Sequence, residues 1–247
     1  MQRIDLLLVS LGLASSRTAA QGLLEAGRVA VEGKTVTKAS LKVFDDAAIT
    51  VIPDAADRFV SRGGLKLAGA LAHTGLDVTG MLALDVGIST GGFTDCLLQA
   101  GARRVVGVEV GHDQLHPRLL QDPRVQQFEG VNARHLNAEL IASALDAAID
   151  LVVGDVSFIS LTLVLPAIAS VINSGARLLF LVKPQFEVGP QKVGKGGIVR
   201  DESCYPEVEQ KIRSAAHAAG FTVLDYLPSP IAGGDGNREF FIYAVYR

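Results

Sequence analysis

From about Arg62 onward, short runs of apolar residues alternate with longer stretches of mixed polarity. Seven of the apolar runs predict β-strands, and in chain order they read MLALDVG, RVVGVEV, VQQFEG, DLVVGDV, LLFLVK, FTVLDYL and EFFIYAVY. Stretches such as GGFTDCLLQAGA and VEQKIRSAAHAAG, which lie between strands, predict helices. Strands that alternate with helices indicate a doubly wound, Rossmann-like α/β sheet, in which ligands bind at the C-terminal ends of the strands. The last two runs have no helical stretch between them and predict a closing hairpin.

The first ~50 residues have a different pattern, which predicts a small α+β module. A first helix is indicated by four leucines, Leu6, Leu7, Leu8 and Leu11. A second helix is expected from Arg17 to Ala26, with Ser15 or Ser16 as its N-cap and Gly27 closing it. RVAVEGKTVT then predicts two short strands around a Glu32-Gly33 turn.

The segment PDAADRFVSRGG, residues 53–64, contains proline and paired glycines and follows neither a period of 2 nor one of 3.6. It is therefore predicted to be a linker. We expect two domains, the small module at 1–58 and the α/β domain at 59–247.

The chain of 247 residues carries a net charge of −3, so a nucleic-acid partner would require a local positive patch. The first module has an excess of basic residues: Arg3, Arg17, Arg28, Lys34, Lys38 and Lys42. Arg17 and Arg28 flank the second helix, and we expect them to lie near each other. An ordinary solvated face is the alternative to a nucleic-acid surface.

Residues 156–176 carry no charge over 21 positions, close to the length of a membrane span. Their serines, Thr162, Asn173 and Pro166 favour a buried helix instead. The N-terminal apolar stretch is too short for a signal peptide, and the two cysteines suggest neither a disulfide framework nor a zinc site. A cytoplasmic protein is therefore expected.

LDVGISTGGFTDCLL reads as strand, glycine-rich turn and helix, with glycines at Gly87, Gly91 and Gly92. Glycine lets the backbone approach a ligand closely, and Ser89, Thr90 and the first amides of the helix can donate hydrogen bonds. Glu109 lies 22 residues beyond Gly87, where a carboxylate can bind a ribose diol. Asp85 in the turn would disfavour a pyrophosphate but accept the α-amino group of S-adenosylmethionine. A turn that only packs helix against strand is the alternative.

Two other patterns are weaker. GPQKVGKG, residues 189–196, fits the start of a P-loop, but glycine replaces the Ser/Thr that would bind Mg²⁺. A mobile glycine-lysine loop over the site, with Lys192, Lys195 and Arg200, is the preferred interpretation. His112 and His116 could form a metal pair on a helix, but Pro117 favours a solvated turn, and no metal site is expected.

Two charged residues follow apolar strand runs, Asp155 after DLVVG and Lys183 after LLFLV. Because the C-terminal ends of these strands lie at one edge of the sheet, we expect both side chains in a single cleft. A lysine can act as a base only in its neutral form, which a neighbouring cation would favour. Lys66 is a candidate for that cation, and Glu239 for a second carboxylate. Solvated strand ends are the alternative for each residue taken alone.

The first module resembles the S4-like RNA-binding domain over RIDLLLVSLGLASSRTAAQGLLEAGRVAVEGKTV. The matching positions are Arg3, Asp5, Ser16, Arg17, Ala20, Gly27, Val29, Val31 and Gly33. This resemblance implies binding to structured RNA, most often ribosomal RNA.

The region from Arg62 to Arg247 resembles the FtsJ-type ribose 2′-O-methyltransferases, and the chain as a whole resembles the TlyA/hemolysin-A family. The blocks that carry the resemblance are DVGISTGGFTD, GDVSFIS, LVKPQFE and VGKGGIVRD. It implies methyl transfer from S-adenosylmethionine to ribosomal RNA by a Lys-Asp-Lys-Glu tetrad, which maps to Lys66, Asp155, Lys183 and Glu239. Lys183 would be the general base, with Asp155 and Glu239 orienting it.

Further site residues follow from the motifs and the resemblance together. The cofactor is expected to contact Asp85, Gly87, Ser89, Thr90, Gly91, Gly92, Phe93, Glu109, Asn132 and Asp155. Glu109 stands where an aspartate is more common, and Asn132 matches a position near the adenine. RNA is expected to contact Arg3, Ser16, Arg17, Arg28, Lys34, Lys38, Arg62, Lys192 and Lys195.

Two other functions compete with methyl transfer. A non-catalytic ribosome-assembly factor would use the S4-like module alone, but all four tetrad positions are filled with functional residues. Membrane lysis is suggested by the hemolysin name, but neither a signal segment nor a basic amphipathic helix supports it.

Overall fold

The computed structural model describes residues 1–14, 16–144 and 147–247, and the chain folds into two units, Met1–Asp57 and Arg58–Arg247. Ser15, one of the two residues proposed as a helix cap, lies outside the described residues. Each unit is built around its own apolar core.

The first unit combines two helices, α1 (Ile4–Ser10) and α2 (Arg17–Glu25), with short antiparallel strands. Its strands are β1 (Gln2–Arg3), β2 (Val29–Val31), β3 (Lys34–Val36), β4 (Lys42–Val43) and β5 (Ile49–Val51). Strand β2 lies between β3 and β5, and β1 pairs with β4. The turn between β2 and β3 has positive φ at both Glu32 (48°) and Gly33 (74°), as a two-residue hairpin turn of type I′ requires. The predicted two helices and hairpin are confirmed.

A fully buried carboxylate, that of Asp5, connects the two helices of the first unit. It accepts hydrogen bonds from Arg3 Nη2 at 2.9 Å and Nε at 3.0 Å, from Arg17 Nε at 2.9 Å and from Gln21 Nε2 at 3.2 Å. The guanidinium of Arg3 is the main reason why the pKa of Asp5 is held well below its usual range. A buried charge is tolerated only when it is paired and hydrogen-bonded, and the two arginines meet that requirement.

The expectation that Arg17 and Arg28 lie near each other is wrong. They stand at opposite ends of α2, and a helix of nine residues is about 13 Å long. Arg28 instead donates to the Ile52 carbonyl at 2.9 and 3.0 Å and pairs with Asp57. Its guanidinium thereby connects the end of α2 to the last residues of the same unit.

All seven predicted strands of the second unit are confirmed, as are both predicted helices. The strands are β6 (Leu82–Val86), β7 (Arg104–Val108), β8 (Val125–Phe128), β9 (Leu151–Gly154), β10 (Arg177–Val182), β11 (Phe221–Pro228) and β12 (Phe240–Tyr246). The helices are α3 (Gly63–Thr74), α4 (Gly92–Gln99), α5 (Pro117–Leu120), α6 (Ala138–Ser143), α7 (Leu161–Ala169) and α8 (Cys204–Ala218).

The seven strands form one sheet in the order β11-β12-β10-β9-β6-β7-β8. The five strands from β10 to β8 are parallel, and β12 pairs antiparallel with both β10 and β11, which confirms the closing hairpin. Side chains of β9 alternate between the faces, so Val152 packs with α7, whereas Leu151 and Val153 pack in the core that contains α3 and α4. Because β6, β7, β9 and β10 are parallel, their C-terminal ends lie at the same edge of the sheet.

Part of the segment predicted to be a linker, 53–64, is instead built into the second unit. The Phe59 side chain is only 5% exposed and packs in the core beside α3, which begins at Gly63. Gly64 leaves room for the Phe59 ring, because a Cβ at that position would overlap it. The two apolar residues Phe59 and Val60 form too short a run for periodicity to reveal this burial.

The uncharged stretch 156–176 forms the nine-residue helix α7 and its flanking loops. Ser160 caps α7 by accepting from Thr162 N, and Pro166 lies inside the helix. Among the described residues, no helix is long and apolar enough to cross a membrane.

We expect Gly154→Ala to destabilise the protein by at least about 1–3 kcal/mol, the usual cost of overpacking a core. The added methyl group would overlap the buried Phe180 ring and lie 2.7 Å from the Val86 carbonyl oxygen, which belongs to a neighbouring strand. Urea unfolding followed by circular dichroism measures the change.

The matched control is Gly234→Ala, because no atom lies within 4 Å of a Cβ at that position. Equal unfolding midpoints for the two variants would contradict the prediction.

Candidate active site

The turn after β6 depends on a glycine. Gly87 has φ +82°, and a Cβ there would lie 2.8 Å from the Asp155 carbonyl oxygen. Gly91 has φ +92°, and a Cβ at this position would overlap the side chains of Leu115 and Leu119. Only glycine lets the β6 turn approach the end of β9 this closely.

Glu109, the residue after β7, holds the glycine turn in place. Its carboxylate accepts hydrogen bonds from Ser89 N at 3.0 Å and Gly111 N at 2.9 Å. The Ser89 hydroxyl donates to Gln114 Oε1 at 3.0 Å, a contact that the sequence pattern did not reveal. Since each carboxylate oxygen can accept more than one hydrogen bond, Glu109 retains acceptor capacity toward a ligand.

Asp85 does not lie in the turn, as the sequence suggested, but on β6, where it is 1% exposed. Thr94 Oγ1 donates to its Oδ2 at 2.7 Å, while Oδ1 has no hydrogen-bond partner among the described residues. Burial raises the pKa of Asp85 to about 7, against the opposing hydrogen bond from Thr94. Asp85 is therefore buried within the sheet rather than exposed in the turn.

The structure brings together Lys66, Asp155, Lys183 and Glu239, the four side chains proposed as a tetrad. The Lys183 ammonium lies 2.5 Å from Asp155 Oδ1 and donates to Ser157 Oγ at 2.8 Å. The Lys66 ammonium lies 2.6 Å from Glu239 Oε2 and 3.7 Å from Asp155 Oδ2. Asp155 is therefore shared by the two lysines.

One expected contact is absent, because Glu239 does not orient Lys183 directly. In the part of the chain that the structure describes, its ion pair is with Lys66. Glu239 is 4% exposed, and burial raises the pKa of its carboxyl, while the hydrogen bond from Lys66 opposes the shift. Lys66, on α3, thus lies between Glu239, which directly precedes β12, and Asp155, which directly follows β9, and this places it to position both.

Two neighbouring cavities share this cluster. The larger, about 870 Å³, lies over the glycine turn; its lining includes Gly87, Ser89, Thr90, Gly92, Phe93, Glu109, Asn132, Lys66, Asp155 and Lys183. The smaller, about 440 Å³, is lined by both lysines, Glu239, Phe158, Phe186 and Gly196, among others. Because both cavities touch the same lysines, a ligand in one can meet a ligand in the other at the cluster.

Phe158 projects from the loop after β9 and was missed by the sequence analysis. It is 91% exposed, has φ +64°, and its ring centroid lies 5.2 Å from that of Phe186. A positive φ is a genuine outlier for a bulky residue, and such outliers concentrate at functional sites. The motif GDVSFIS contains Phe158, but no periodic pattern distinguishes it from a core residue.

The residues proposed to bind RNA occupy varied environments. Ser16 caps α2 by accepting from Ala19 N, and Arg3, Arg17 and Arg28 have the carboxylate partners described above. Lys34 and Lys38 are exposed on the first unit. In the second unit, Arg62 lines the larger cavity, Lys192 pairs with Glu207 at 2.5 Å, and Lys195 is exposed on the loop that lines the smaller cavity.

The two weaker motifs form neither of the sites that their patterns suggest. The P-loop-like segment contains the 3₁₀ turn Pro190–Lys192 and leads into a second, Lys195–Gly197, so no α-helix starts directly behind it. His112 contacts Glu129 at 3.3 Å, and His116 caps α5 by accepting from Arg118 N. No group of three or more His, Cys, Asp or Glu residues within the described ranges could hold a metal ion.

This sheet order, together with a glycine turn and a ligand cavity at the C-terminal strand ends, defines a Rossmann-like α/β protein. The sequence pattern of the FtsJ-like methyltransferase family matches residues 59–246, and that of the S4 domain matches residues 2–44. The chain therefore belongs to the FtsJ-like methyltransferase family and carries an S4 domain. Both resemblances inferred from the sequence are confirmed.

Individual relatives extend over almost the whole chain. The 16S/23S rRNA (cytidine-2′-O)-methyltransferase TlyA of Mycobacterium tuberculosis is 43% identical over 241 residues, 98% of this chain and 88% of that protein. Hemolysin A of Brachyspira hyodysenteriae is 38% identical over 98% of this chain and 99% of its own length. The solved structure of a candidate hemolysin from Streptococcus thermophilus is 39% identical, with a TM-score of 0.78, covering 99% of this chain and 88% of that one.

We expect Asp85→Asn to alter how stability depends on pH. A buried carboxyl whose pKa is raised to about 7 binds a proton in the folded state that the unfolded state releases above about pH 4. Wild-type stability should therefore fall, relative to the variant, as the pH rises from 4 through 7, by up to about 4 kcal/mol. Urea unfolding of the ligand-free protein between pH 5 and 8 measures this difference.

The control for this measurement is Asp113→Asn, which changes an exposed loop carboxylate. It should leave the pH slope unchanged. Parallel stability profiles for wild type and Asp85→Asn would show that Asp85 does not titrate in this range.

Proposed function

We propose that the protein transfers a methyl group from S-adenosylmethionine to a ribose 2′-hydroxyl of ribosomal RNA. The observation that carries the proposal is the cluster of Lys66, Asp155, Lys183 and Glu239 where the two cavities meet. In this proposal residues 1–58 form the RNA-binding domain, and residues 59–247 form the catalytic domain.

The larger cavity fits S-adenosylmethionine in size and chemistry. Its volume of about 870 Å³ lies within the range for small-molecule sites. Glu109 would accept from the ribose hydroxyls, Asn132 would lie near the adenine, and Oδ1 of Asp85, which has no hydrogen-bond partner among the described residues, would accept from the amino group. When bound, S-adenosylmethionine supplies a methyl group that its sulfonium already activates.

Several features favour RNA as the substrate. The exposed Phe158, packed against Phe186 beside Lys183, offers an aromatic face on which an unstacked base can pack. The S4 domain with its exposed Lys34 and Lys38 supplies positive charge on a second surface. The close relationship to TlyA of M. tuberculosis, an rRNA (cytidine-2′-O)-methyltransferase, points to ribosomal RNA.

In the proposed mechanism the Lys183 side chain, in its neutral amine form, accepts the proton of the ribose 2′-hydroxyl as the oxygen takes the methyl group. Asp155 and Ser157 orient the Lys183 nitrogen, at 2.5 and 2.8 Å, and Lys66 with Glu239 fixes the other side of Asp155. General-base help is worth typically 10²–10⁴ in rate. Alignment of the hydroxyl with the methyl donor supplies much of the remaining acceleration.

We expect Lys183→Ala to lower methyl transfer to ribosomal subunits at least about 100-fold while leaving cofactor affinity within about threefold. Subunits that lack the native modification are incubated with methyl-labelled S-adenosylmethionine, and the RNA is hydrolysed in alkali. Alkaline cleavage needs a free 2′-hydroxyl, so label in an alkali-resistant dinucleotide identifies ribose methylation. Cofactor affinity is measured separately by calorimetry.

The control variant is Arg124→Ala, which removes a cation paired with Asp122 on the surface between α5 and β8. It should keep wild-type turnover. Equal losses of turnover and cofactor affinity in Lys183→Ala would contradict a base role for Lys183. Wild-type protein that binds the cofactor and the subunit but transfers no label would favour a non-catalytic ribosome-assembly factor.

A further inference from the structure

The loops that follow β9 and β10, residues 155–160 and 183–187, are joined by three successive contacts. At one end Lys183 pairs with Asp155 and donates to Ser157. In the middle the rings of Phe158 and Phe186 pack at 5.2 Å. At the other end the Glu187 carboxylate binds the start of α7. The first contact belongs to the proposed catalytic cluster. In the third contact Ser160 lines the larger cavity, whereas Glu187 lines neither cavity.

Glu187 is a buried carboxylate, 7% exposed, with an almost complete set of partners. It accepts hydrogen bonds from Ser160 Oγ at 2.7 Å, from Leu161 N at 2.7 Å and from Lys211 Nζ at 2.8 Å. Lys211 also donates to the Glu187 carbonyl oxygen at 2.9 Å, so this lysine of α8 holds both the side chain and the backbone of Glu187. Charge-assisted hydrogen bonds of this kind hold side chains in one geometry.

The loop between these contacts contains the strained residue. Phe158 has φ +64°, which is strained for a bulky residue. Because 91% of the residue is exposed, burial of its own side chain does not offset the energetic cost of that backbone conformation. Such a conformation persists only when the surrounding structure determines it. The loop is held at its first residue by the ion pair between Asp155 and Lys183. It is held at its last residue by the hydrogen bond that Ser160 donates to Glu187.

We infer that Glu187 is a positioning residue that holds the 155–160 loop so that Asp155 meets Lys183 and Phe158 projects beside the smaller cavity. This inference rests on the proposed methyl transfer for its effect on turnover. Without the Glu187 contacts, the loop relaxes at Phe158 and Asp155 loses its fixed orientation toward Lys183. Residues 155–160 also line the larger cavity, but its glycine turn and Glu109 keep their own contacts, so we expect cofactor affinity to change less than turnover.

The kinetic test compares Glu187→Ala and Glu187→Gln with wild type. We expect Glu187→Ala to lower kcat about 10–100-fold, since small misplacements of reacting groups have effects of this size, with the KM for S-adenosylmethionine within about twofold. Glu187→Gln should recover part of kcat, because an amide oxygen still accepts from Leu161 N. The control is Glu209→Gln on α8, whose carboxylate pairs with Arg213 on the helix surface.

A second test reads the loop without any activity. The chain contains no tryptophan, so Phe158→Trp introduces a single tryptophan into the loop, and its fluorescence is excited selectively over that of the four tyrosines. We expect its anisotropy to fall when Glu187→Ala is added, and to stay unchanged when Glu209→Gln is added. Ser160→Ala, which removes only one of the hydrogen bonds, should lower the anisotropy by less and serves if Glu187→Ala does not fold.

The two tests separate the inference from the proposed function. Unchanged anisotropy, or unchanged kcat in folded Glu187→Ala, would overturn the positioning role. A fall in kcat that only matches the fraction of unfolded protein would overturn it as well. If wild type transfers no methyl group, the proposed function fails, while the anisotropy arm still decides whether Glu187 holds the loop.

Discussion

The C-terminal edge of the parallel strands depends on the carboxylate of Asp155, which lies between two ammonium groups. Lys183 and Lys66 lie 2.5 and 3.7 Å from its two oxygens, and without it the two cations would face each other in a partly buried space. Glu239, on the far side of Lys66, makes the cluster formally neutral, with two positive and two negative groups. Burial of such charges is tolerated only as a complete set, because removing one partner leaves another uncompensated.

The same residues connect this cluster to the cofactor cavity through the backbone. The Asp155 carbonyl oxygen lies where any side chain at Gly87 would be, and Gly154 leaves space for the Phe180 ring of the neighbouring strand. Because these close contacts involve main-chain atoms, the glycine turn and the charged cluster hold a fixed spacing. The spacing between the glycine turn and the backbone of Asp155 is thus set by strand packing rather than by flexible side chains.

The first unit also buries a carboxylate together with its positively charged partners. Asp5 is fully buried and is compensated by Arg3, Arg17 and Gln21, and the two arginines are among the residues expected from the motifs and the resemblance to contact RNA. Their guanidinium groups remain partly exposed, at 37% and 54% of the side chain, so one carboxylate orders two cations that still face solvent. Arg28, in contrast, is only 16% exposed and ties the end of α2 to Ile52 and Asp57.

The sequence by itself determined the elements of the α/β sheet and the strand ends that carry Asp155 and Lys183, because apolar runs and glycine turns are local patterns. It also indicated the tetrad and the S4-like module, because each is marked by several short motifs and the residues within one motif lie close together in the chain. Only the tertiary structure decided that Glu239 pairs with Lys66 rather than Lys183. It also decided that Asp85 is buried within the sheet, and that Phe158 is exposed while Phe59 is buried. These outcomes depend on distances between elements far apart in the chain, which the order of residues along one strand or helix does not encode.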